Sequence, residues 1–340
     1  MKPLICVLLC SYTFMCAAQT KRAINPADIY RLQDVSEIKI SPDGKWISYT
    51  LSTVDSAKDS RNADIWMISW DGKENIQLTG TKEDESTAEW SPDGKYISFL
   101  SSRPVGDAEQ DEKELSQIWL MDRRGGEGRK ITDVSGEIDA YAWSPDGSKI
   151  VFAMKDEDFS DTAENISRKP FEMDRYHFKE DYIGYLDRRA IHLYILDIAS
   201  ENIDTLTRGD YDETDAAFSP DGKQIAFVSN RTEDPDKNEN TDIYIMDAVP
   251  GAAMKKTTSW AGADHSPQWS PDGKNITYLQ STSNEAFTMY GHDMIALISK
   301  NGGEPKLSSQ STDRPIYHFT WNKDGKNIFD TPPLFDFIDL

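Results

Sequence analysis

Beyond its first sixteen residues the chain has no cysteine: Cys6, Cys10 and Cys16 are the only three in 340 positions. If the leader is removed, disulfides, a thiol nucleophile and a thiolate metal site are all excluded. Positive charge is scarce too, with 37 Lys and Arg against 59 Asp and Glu and a net charge of −22. A surface that negative repels phosphate backbones and anionic headgroups, so nucleic acid is excluded as a partner. Long apolar runs are missing after the leader, which excludes a helical membrane span. The nucleophile elbow Gly-x-Ser-x-Gly does not occur, nor does His-Glu-x-x-His, and the glycine pairs Gly125-Gly126 and Gly302-Gly303 are turns and not phosphate cradles.

What is present begins with Lys2, an apolar run from Leu4 to Cys10, and Ala17-Ala18 before Gln19. That pattern reads as a signal peptide over 1–18 cleaved after Ala18, with lipidation at Cys16 as the other reading, and it places the mature protein outside the inner membrane, in the periplasm. Aromatic residues make up 11% of the chain, too much ring area for a disordered acidic segment, so the acid excess decorates a folded surface.

A repeat dominates the rest. Ser41-Pro42-Asp43-Gly44-Lys45 returns as Ser91-Pro92-Asp93-Gly94-Lys95, Ser144-Pro145-Asp146-Gly147-Ser148, Ser219-Pro220-Asp221-Gly222-Lys223 and Ser270-Pro271-Asp272-Gly273-Lys274, with a decayed Asn322-Lys323-Asp324-Gly325-Lys326. The intervals are 50, 53, 75, 51 and 52 residues. Proline sets φ for the first central turn position, aspartate bonds its own downstream backbone, and glycine takes a positive φ, so each copy closes a tight hairpin. The segments that follow alternate, as in Trp46-Ile47-Ser48-Tyr49 and Tyr96-Ile97-Ser98-Phe99, and read as half-buried strands. About twenty residues on come Ile65-Trp66, Ile118-Trp119, Leu193-Tyr194 and Ile243-Tyr244, and then short elements ending in Leu78-Thr79, Ile131-Thr132, Leu206-Thr207 and Leu307-Ser308.

Four short antiparallel strands every fifty residues make one propeller blade. The fold class is therefore all-β: a β-propeller of four-stranded antiparallel blades, five complete and a partial sixth, over 35–340 after a lead-in at 19–34. Trp90, Trp143, Phe218, Trp269 and Trp321, each just before a turn, read as core between blades. The long third interval carries about 24 extra residues near 156–189, a tyrosine-rich insertion where binding or gating function tends to sit. The sixth unit reads as incomplete, with Leu334 to Ile338 resembling the strand that carries Ile65-Trp66 in the first.

Candidate chemistry is thin. Each of His177, His192, His265, His292 and His318 reads as structural. Asp234, Asp236, Asn238 and Asn240 alternate like calcium ligands but lack the glycine and terminal glutamate of an EF-hand loop, and read as a solvated connection. Glu180 and Asp181 are a candidate pair for a peptide amino terminus, or else ordinary surface carboxylates. No catalytic, cofactor-binding or metal-ligating residue is assigned, and no cofactor is expected.

The Ser-Pro-Asp-Gly-Lys hairpins followed by Asp64-Ile65-Trp66 or Asp242-Ile243-Tyr244-Ile245-Met246-Asp247 resemble the repeats of TolB-type propellers and of the amino-terminal propellers of the prolyl oligopeptidase family. Arg175-Tyr176 through Gly184-Tyr185-Leu186-Asp187, running into His192-Leu193-Tyr194, is similar to the acylaminoacyl and dipeptidyl peptidase branch, as is the opening Ile29-Tyr30-Arg31-Leu32. The resemblance covers residues 24 to 340. It implies a propeller that restricts access of oligopeptides to a serine peptidase α/β-hydrolase domain, which this sequence does not contain, so no catalytic residue transfers to it. The alternative implied by the same repeats is a TolB-like periplasmic propeller that binds protein partners without catalysis. An enzyme with its site on the propeller axis is the third reading, and no acid, base or metal cluster recurs at the blade mouths to support it.

Overall fold

The computed structural model describes residues 22–56, 59–104, 115–157, 173, 175–181, 184–186, 188–285, 291–309 and 315–331. The leader at 1–18 and the segment Leu334 to Ile338 lie outside them. A 3-10 helix at Pro26–Arg31, capped by the Asn25 side chain, leads into five four-stranded antiparallel sheets and two two-stranded sheets, one of them in the connection within blade 3. Blade 1 comprises Asp34–Ile40, Trp46–Asp55, Ser60–Ser69 and Asn75–Gln77, and blade 2 Glu85–Trp90, Tyr96–Ser101, Gln117–Asp122 and Arg129–Lys130. Blade 3 comprises Ile138–Trp143, Lys149–Lys155, Ile191–Asp197 and Ile203–Thr205, and blade 4 Thr214–Phe218, Gln224–Ser229, Asp242–Asp247 and Lys255–Lys256. Blade 5 comprises Asp264–Trp269, Asn275–Ser281, Asp293–Ser299 and Lys306–Leu307, and the sixth sheet His318–Trp321 and Ile328–Thr331.

Each repeat motif closes the hairpin between the first and second strands in the same way. In blade 2 the Ser91 hydroxyl donates to Asp93 Oδ1 at 2.8 Å, the Lys95 N–H donates to the same oxygen at 3.0 Å, and the Tyr96 N–H donates to Ser91 Oγ at 2.9 Å. Gly94 sits at φ +67°, where an L side chain is strained. The turns also touch. The place a Cβ on Gly94 would occupy is 3.6 Å from the Pro42 ring of the preceding blade, and the contact recurs for Gly147 on Pro92, Gly222 on Pro145, Gly273 on Pro220 and Gly325 on Pro271. All six turns therefore lie in one row on one face, including the decayed sixth.

First strands of blades 1 to 5 contact one another in succession, which places them innermost. The core is not inside the sheets but between them. Ile65 and Met67 of blade 1 pack on Ala88, Trp90, Ile97 and Phe99 of blade 2. Corresponding clusters fill the next junctions, ending with Leu279 and Ile295 of blade 5 on Ile316 and Phe319. Trp90, Trp143, Phe218 and Trp269 take part as expected while Trp321 stands outside the packed clusters, and two of them bond across a junction: Trp143 Nε1 donates to Ser98 Oγ at 2.8 Å and Trp269 Nε1 to the Ala217 carbonyl at 3.0 Å.

The second strands depart from the half-buried reading. In blades 2 to 5 they are buried on both faces, because each blade is covered by a neighbour on either side. Among the described residues blade 1 has a neighbour on one side only, and its second strand is mostly half-buried.

Candidate functional site

The connection from Lys155 to Ile191 of blade 3 carries the insertion, with a small hairpin pairing Lys179–Glu180 to Gly184–Tyr185 and the Phe178 and Tyr185 rings stacked at 6.5 Å. It reaches over to blade 4, where Arg175 forms a two-point ion pair with Asp236, at 2.9 Å for the Nε contact. Beneath it lies a cavity of about 280 Å³ lined by Arg175, Arg188, Arg189, Asp210, Tyr211 and Asp236, among others. Opposite charges face each other across this space, an arrangement that suits a ligand carrying both an ammonium and a carboxylate or amide groups, as a short peptide does.

Below the cavity a buried network joins blades 3 and 4. Glu213 is fully buried and accepts the Thr207 hydroxyl at 2.7 Å, while His192 Nδ1 lies 2.8 Å from the same carboxyl and the Arg231 guanidinium pairs with its other oxygen. Arg231 also lies 5.1 Å from the centre of the Tyr211 ring that lines the cavity. The hydrogen bond to Glu213 raises the His192 pKa against the opposing effect of burial, and Asp156, 3.6 Å from Nε2 at the start of the insertion, adds to the rise. His192 is thus structural, as its sequence setting suggested. The network itself escaped sequence reading, because its members are 21 and 18 residues apart and meet only when two blades dock.

The remaining candidates do not converge. Glu180 lies on the exposed hairpin and Asp181 is exposed beside it. Asp234 pairs with Lys237 at 2.8 Å and Asp236 with Arg175, while Asn238 donates to Thr232 Oγ1 at 2.9 Å, so the 234–240 side chains turn to separate partners. His177 and His318 are exposed, and His292 is partly buried.

His265 begins a string that sequence reading missed: its Nδ1 is 3.2 Å from Ser266 Oγ and its Nε2 is 3.2 Å from Asp293. The order hydroxyl, imidazole, carboxylate is that of a nucleophilic triad. Its surroundings oppose the chemistry. The Ser266 N–H, a donor an oxyanion would need, is spent on Asp215 at 3.0 Å. Burial works against protonation of His265, yet Asp293, Asp215 and Asp264 outweigh it and raise its pKa, as carboxylates around a structural imidazole do.

Ser266 belongs instead to a feature of the inner strands. Glu37, Thr87, Asp215 and Ser266 occupy bulges at φ between +52° and +54°, and the acid of one blade caps the bulge N–H of the next, Glu37 on Thr87 at 2.7 Å and Asp215 on Ser266. On the turn face, a groove of about 410 Å³ between blades 2 and 3 has Tyr96, Leu120, Trp143 and Ile198 as its apolar floor. Among the described residues no three His, Cys, Asp or Glu side chains gather as metal ligands. None of the described helices is long and apolar enough to cross a membrane.

Comparison with known proteins puts names beside this geometry. A model of the TolB beta propeller domain matches residues 186–289. The chain is 32% identical over 231 residues to the uncharacterized peptidase YuxL of Bacillus subtilis, covering 66% of this chain and 34% of that protein. It is 25% identical over 295 residues to dipeptidyl-peptidase 5 of Porphyromonas endodontalis, covering 81% of this chain and 40% of the relative. Among solved structures, the acylaminoacyl peptidase of Pyrococcus horikoshii superposes with a TM-score of 0.62 at 16% identity, over 86% of this chain and 42% of the other. The chain thus spans between about a third and two fifths of the length of these curated relatives.

Proposed function

Because the chain is a TolB-like β-propeller whose curated relatives are peptidases, we propose that it is the non-catalytic, substrate-gating propeller portion of an exported serine exopeptidase, of the dipeptidyl or acylaminoacyl type, acting on oligopeptides. The observation that carries this is the alignment with dipeptidyl-peptidase 5, which runs through 81% of this chain but 40% of that enzyme. Blades packed face to face make a stiff wall, and a stiff wall over a hydrolase site admits an extended peptide while refusing a folded protein. The mixed-charge cavity under the insertion supports the same reading, since it offers carboxylates and guanidinium groups to the two ends of a short chain. Acyl transfer through a serine belongs to a hydrolase domain with which the propeller would act.

The test uses the full chain recovered from the periplasm of a bacterial host, beginning at Gln19. It is expected to leave dipeptidyl and acylated chromogenic substrates intact. Fused in place of the propeller of dipeptidyl-peptidase 5, it is expected to restore hydrolysis of those substrates and to spare folded proteins. Hydrolysis by the chain alone sinks the non-catalytic assignment, and a fusion that digests folded proteins as fast as dipeptidyl substrates sinks the gate.

A further inference from the structure

Three blade junctions hold the same buried polar position, filled at blades 4 and 5 by Asp242, Thr258 and Asp264 with Lys256 paired to Asp242, and two of the three show opposite chemistry. At the junction of blades 3 and 4 it is filled by His192, near the start of a third strand, and by Glu213, at the start of the next blade, with Thr207 between them. There the buried carboxylate is balanced by the His192 ring and the Arg231 guanidinium. At the junction of blades 1 and 2 the matching places belong to Asp64, Glu85 and Thr79. The match is geometric: Thr79 Oγ1 accepts the Ile65 N–H at 2.8 Å as Thr207 Oγ1 accepts that of Leu193 at 2.8 Å, and Asp84 caps Ala63 at 2.9 Å as Asp212 caps Ile191 at 2.8 Å. A carboxyl thus stands where the imidazole was.

The counter-charge is withdrawn as well: Arg103 acts on Glu85 through space but makes no ion pair with it. Arg103 follows the second strand of blade 2 as Arg231 follows that of blade 4, but it lies 3.9 Å from the centre of the Trp119 ring and donates to the Gly128 carbonyl at 3.2 Å. Glu85, fully buried, receives the Thr81 hydroxyl on Oε1 and has no donor on Oε2. Asp64 Oδ1 and Asn62 Oδ1 are likewise buried without a donor, and Asn62 Nδ2 ties itself to Asp64 Oδ2 at 3.2 Å. Three acceptor oxygens from neighbouring side chains therefore lack a well-formed hydrogen bond, with only Thr79 near Glu85 and the Gln77 side chain near Asp64, where two carboxylates make the surroundings negative. Burying such charge uncompensated is strongly unfavourable.

We propose that the junction of blades 1 and 2 binds one calcium-type divalent cation through Asn62 Oδ1, Asp64 Oδ1 and Glu85 Oε2. Two carboxylates and one divalent ion sum to zero, so the occupied site is neutral and can stay buried. An all-oxygen set of two carboxylates and an amide suits calcium, which accepts irregular oxygen shells, better than zinc, which takes nitrogen and sulfur, or magnesium, which demands a near-ideal octahedron. Asp84 and the Gln77 side chain, both beside Asp64, complete the surroundings. The bound ion pins the third strand of blade 1 to the first strand of blade 2, on the side where blade 1 has its one neighbour.

Thermal unfolding of the full chain at neutral pH with calcium, with magnesium and with EDTA tests this, beside a calorimetric titration with calcium chloride. A saturable rise in midpoint with calcium is expected, one tight ion per chain, and a smaller rise with magnesium. Glu85→Gln and Asp64→Asn are expected to stay folded, because each removes a buried charge, and to lose the calcium-dependent rise. Asn62→Asp, which adds a ligand charge, is expected to bind calcium more tightly, and gives an independent readout if either neutral variant misfolds. Equal midpoints in calcium and EDTA overturn the proposal, the more so if acidification alone raises the midpoint, since the occupant is then a proton. A calcium-dependent rise that survives in Glu85→Gln and Asp64→Asn also overturns it, by locating the ion on surface carboxylates.

Discussion

The aspartates of this protein fall into two electrostatic populations, although the sequence writes them with one letter. Those in the repeat turns accept hydrogen bonds from their own loops: Lys95 and Ser91 hold Asp93 down to about 2, and Ser148 and Ser144 do the same for Asp146. Asp264, fully buried at a blade junction with one oxygen lacking a donor, is driven by desolvation from the ordinary 3.8 up to about 6. The signs of the two effects on stability are opposite. A depressed carboxyl stabilises the fold above its unfolded pKa and loses that contribution as pH falls through about 2, whereas Asp264, protonated in the fold, favours the native state at low pH and ceases to as pH rises from 3.8 through about 6. His192, raised above 6.5, adds stability that is complete below that pH and is lost on the alkaline side of its folded pKa. In EDTA the unfolding midpoint is therefore expected to be highest in mildly acidic solution, roughly pH 4 to 5.5, and to decline toward pH 8. Asp264→Asn should flatten the acid part of that decline. A midpoint that climbs steadily from pH 5 to pH 8 would refute this account.

At the scale of the element, one blade is an unstable object. Its second strand has apolar side chains on both faces, Ile97 and Phe99 toward blade 1 and Leu100 toward blade 3, so it needs both neighbours. Each blade is tied at its outer edge by a repeated bond from a third-strand N–H to a Thr or Ser hydroxyl, with Ile118 donating to Thr132, Ile243 to Thr258 and Ile295 to Ser309. In blade 5 the residue is Ser309 and not Ser308, a one-residue shift that spacing alone did not reveal. Glu213 is the junction residue with most at stake. Removing its carboxylate in Glu213→Ala leaves Arg231 and the buried His192 facing each other, and is expected to cost about 3 to 5 kcal/mol in urea unfolding. Glu213→Gln, which keeps the acceptor for Thr207, should cost less. Equal, small losses for both would show that the network contributes little.

For the molecule as a whole, the row of turns and the series of junctions describe an arc that begins at blade 1 and continues through the two-stranded sixth sheet. Blade 1 shows its free side: its first strand is exposed along its whole length, including Val35, Ile38 and Ile40. At the other end Ile316 and Phe319 cover Leu279 and Ile295. Ending the chain after Ser309 should uncover that junction, at about 2 kcal/mol for each apolar side chain exposed, lowering the urea midpoint and increasing binding of a hydrophobic dye. An unchanged midpoint would mean that the sixth sheet contributes no packing.

Much of this was legible beforehand. Local chemistry wrote the hairpins, because Ser, Pro, Asp and Gly each satisfy one need of a turn within five residues, and their constant interval announced blades before any coordinate was known. The aromatic residues ahead of the turns of blades 2 to 5 were legible as junction core for the same reason, whereas Trp321 ahead of the sixth turn stays outside the packed clusters. By itself, then, the sequence determined the turns, the strand order within a blade and the all-β class. Only the tertiary structure decided that the second strands of blades 2 to 5 are buried on both faces, that Glu213 meets His192 and Arg231, and that Asn62, Asp64 and Glu85 each keep a buried oxygen without a hydrogen bond at the first junction. Those contacts join residues of different strands and blades, and no interval along the chain encodes which side chains will face each other once two sheets are pressed together.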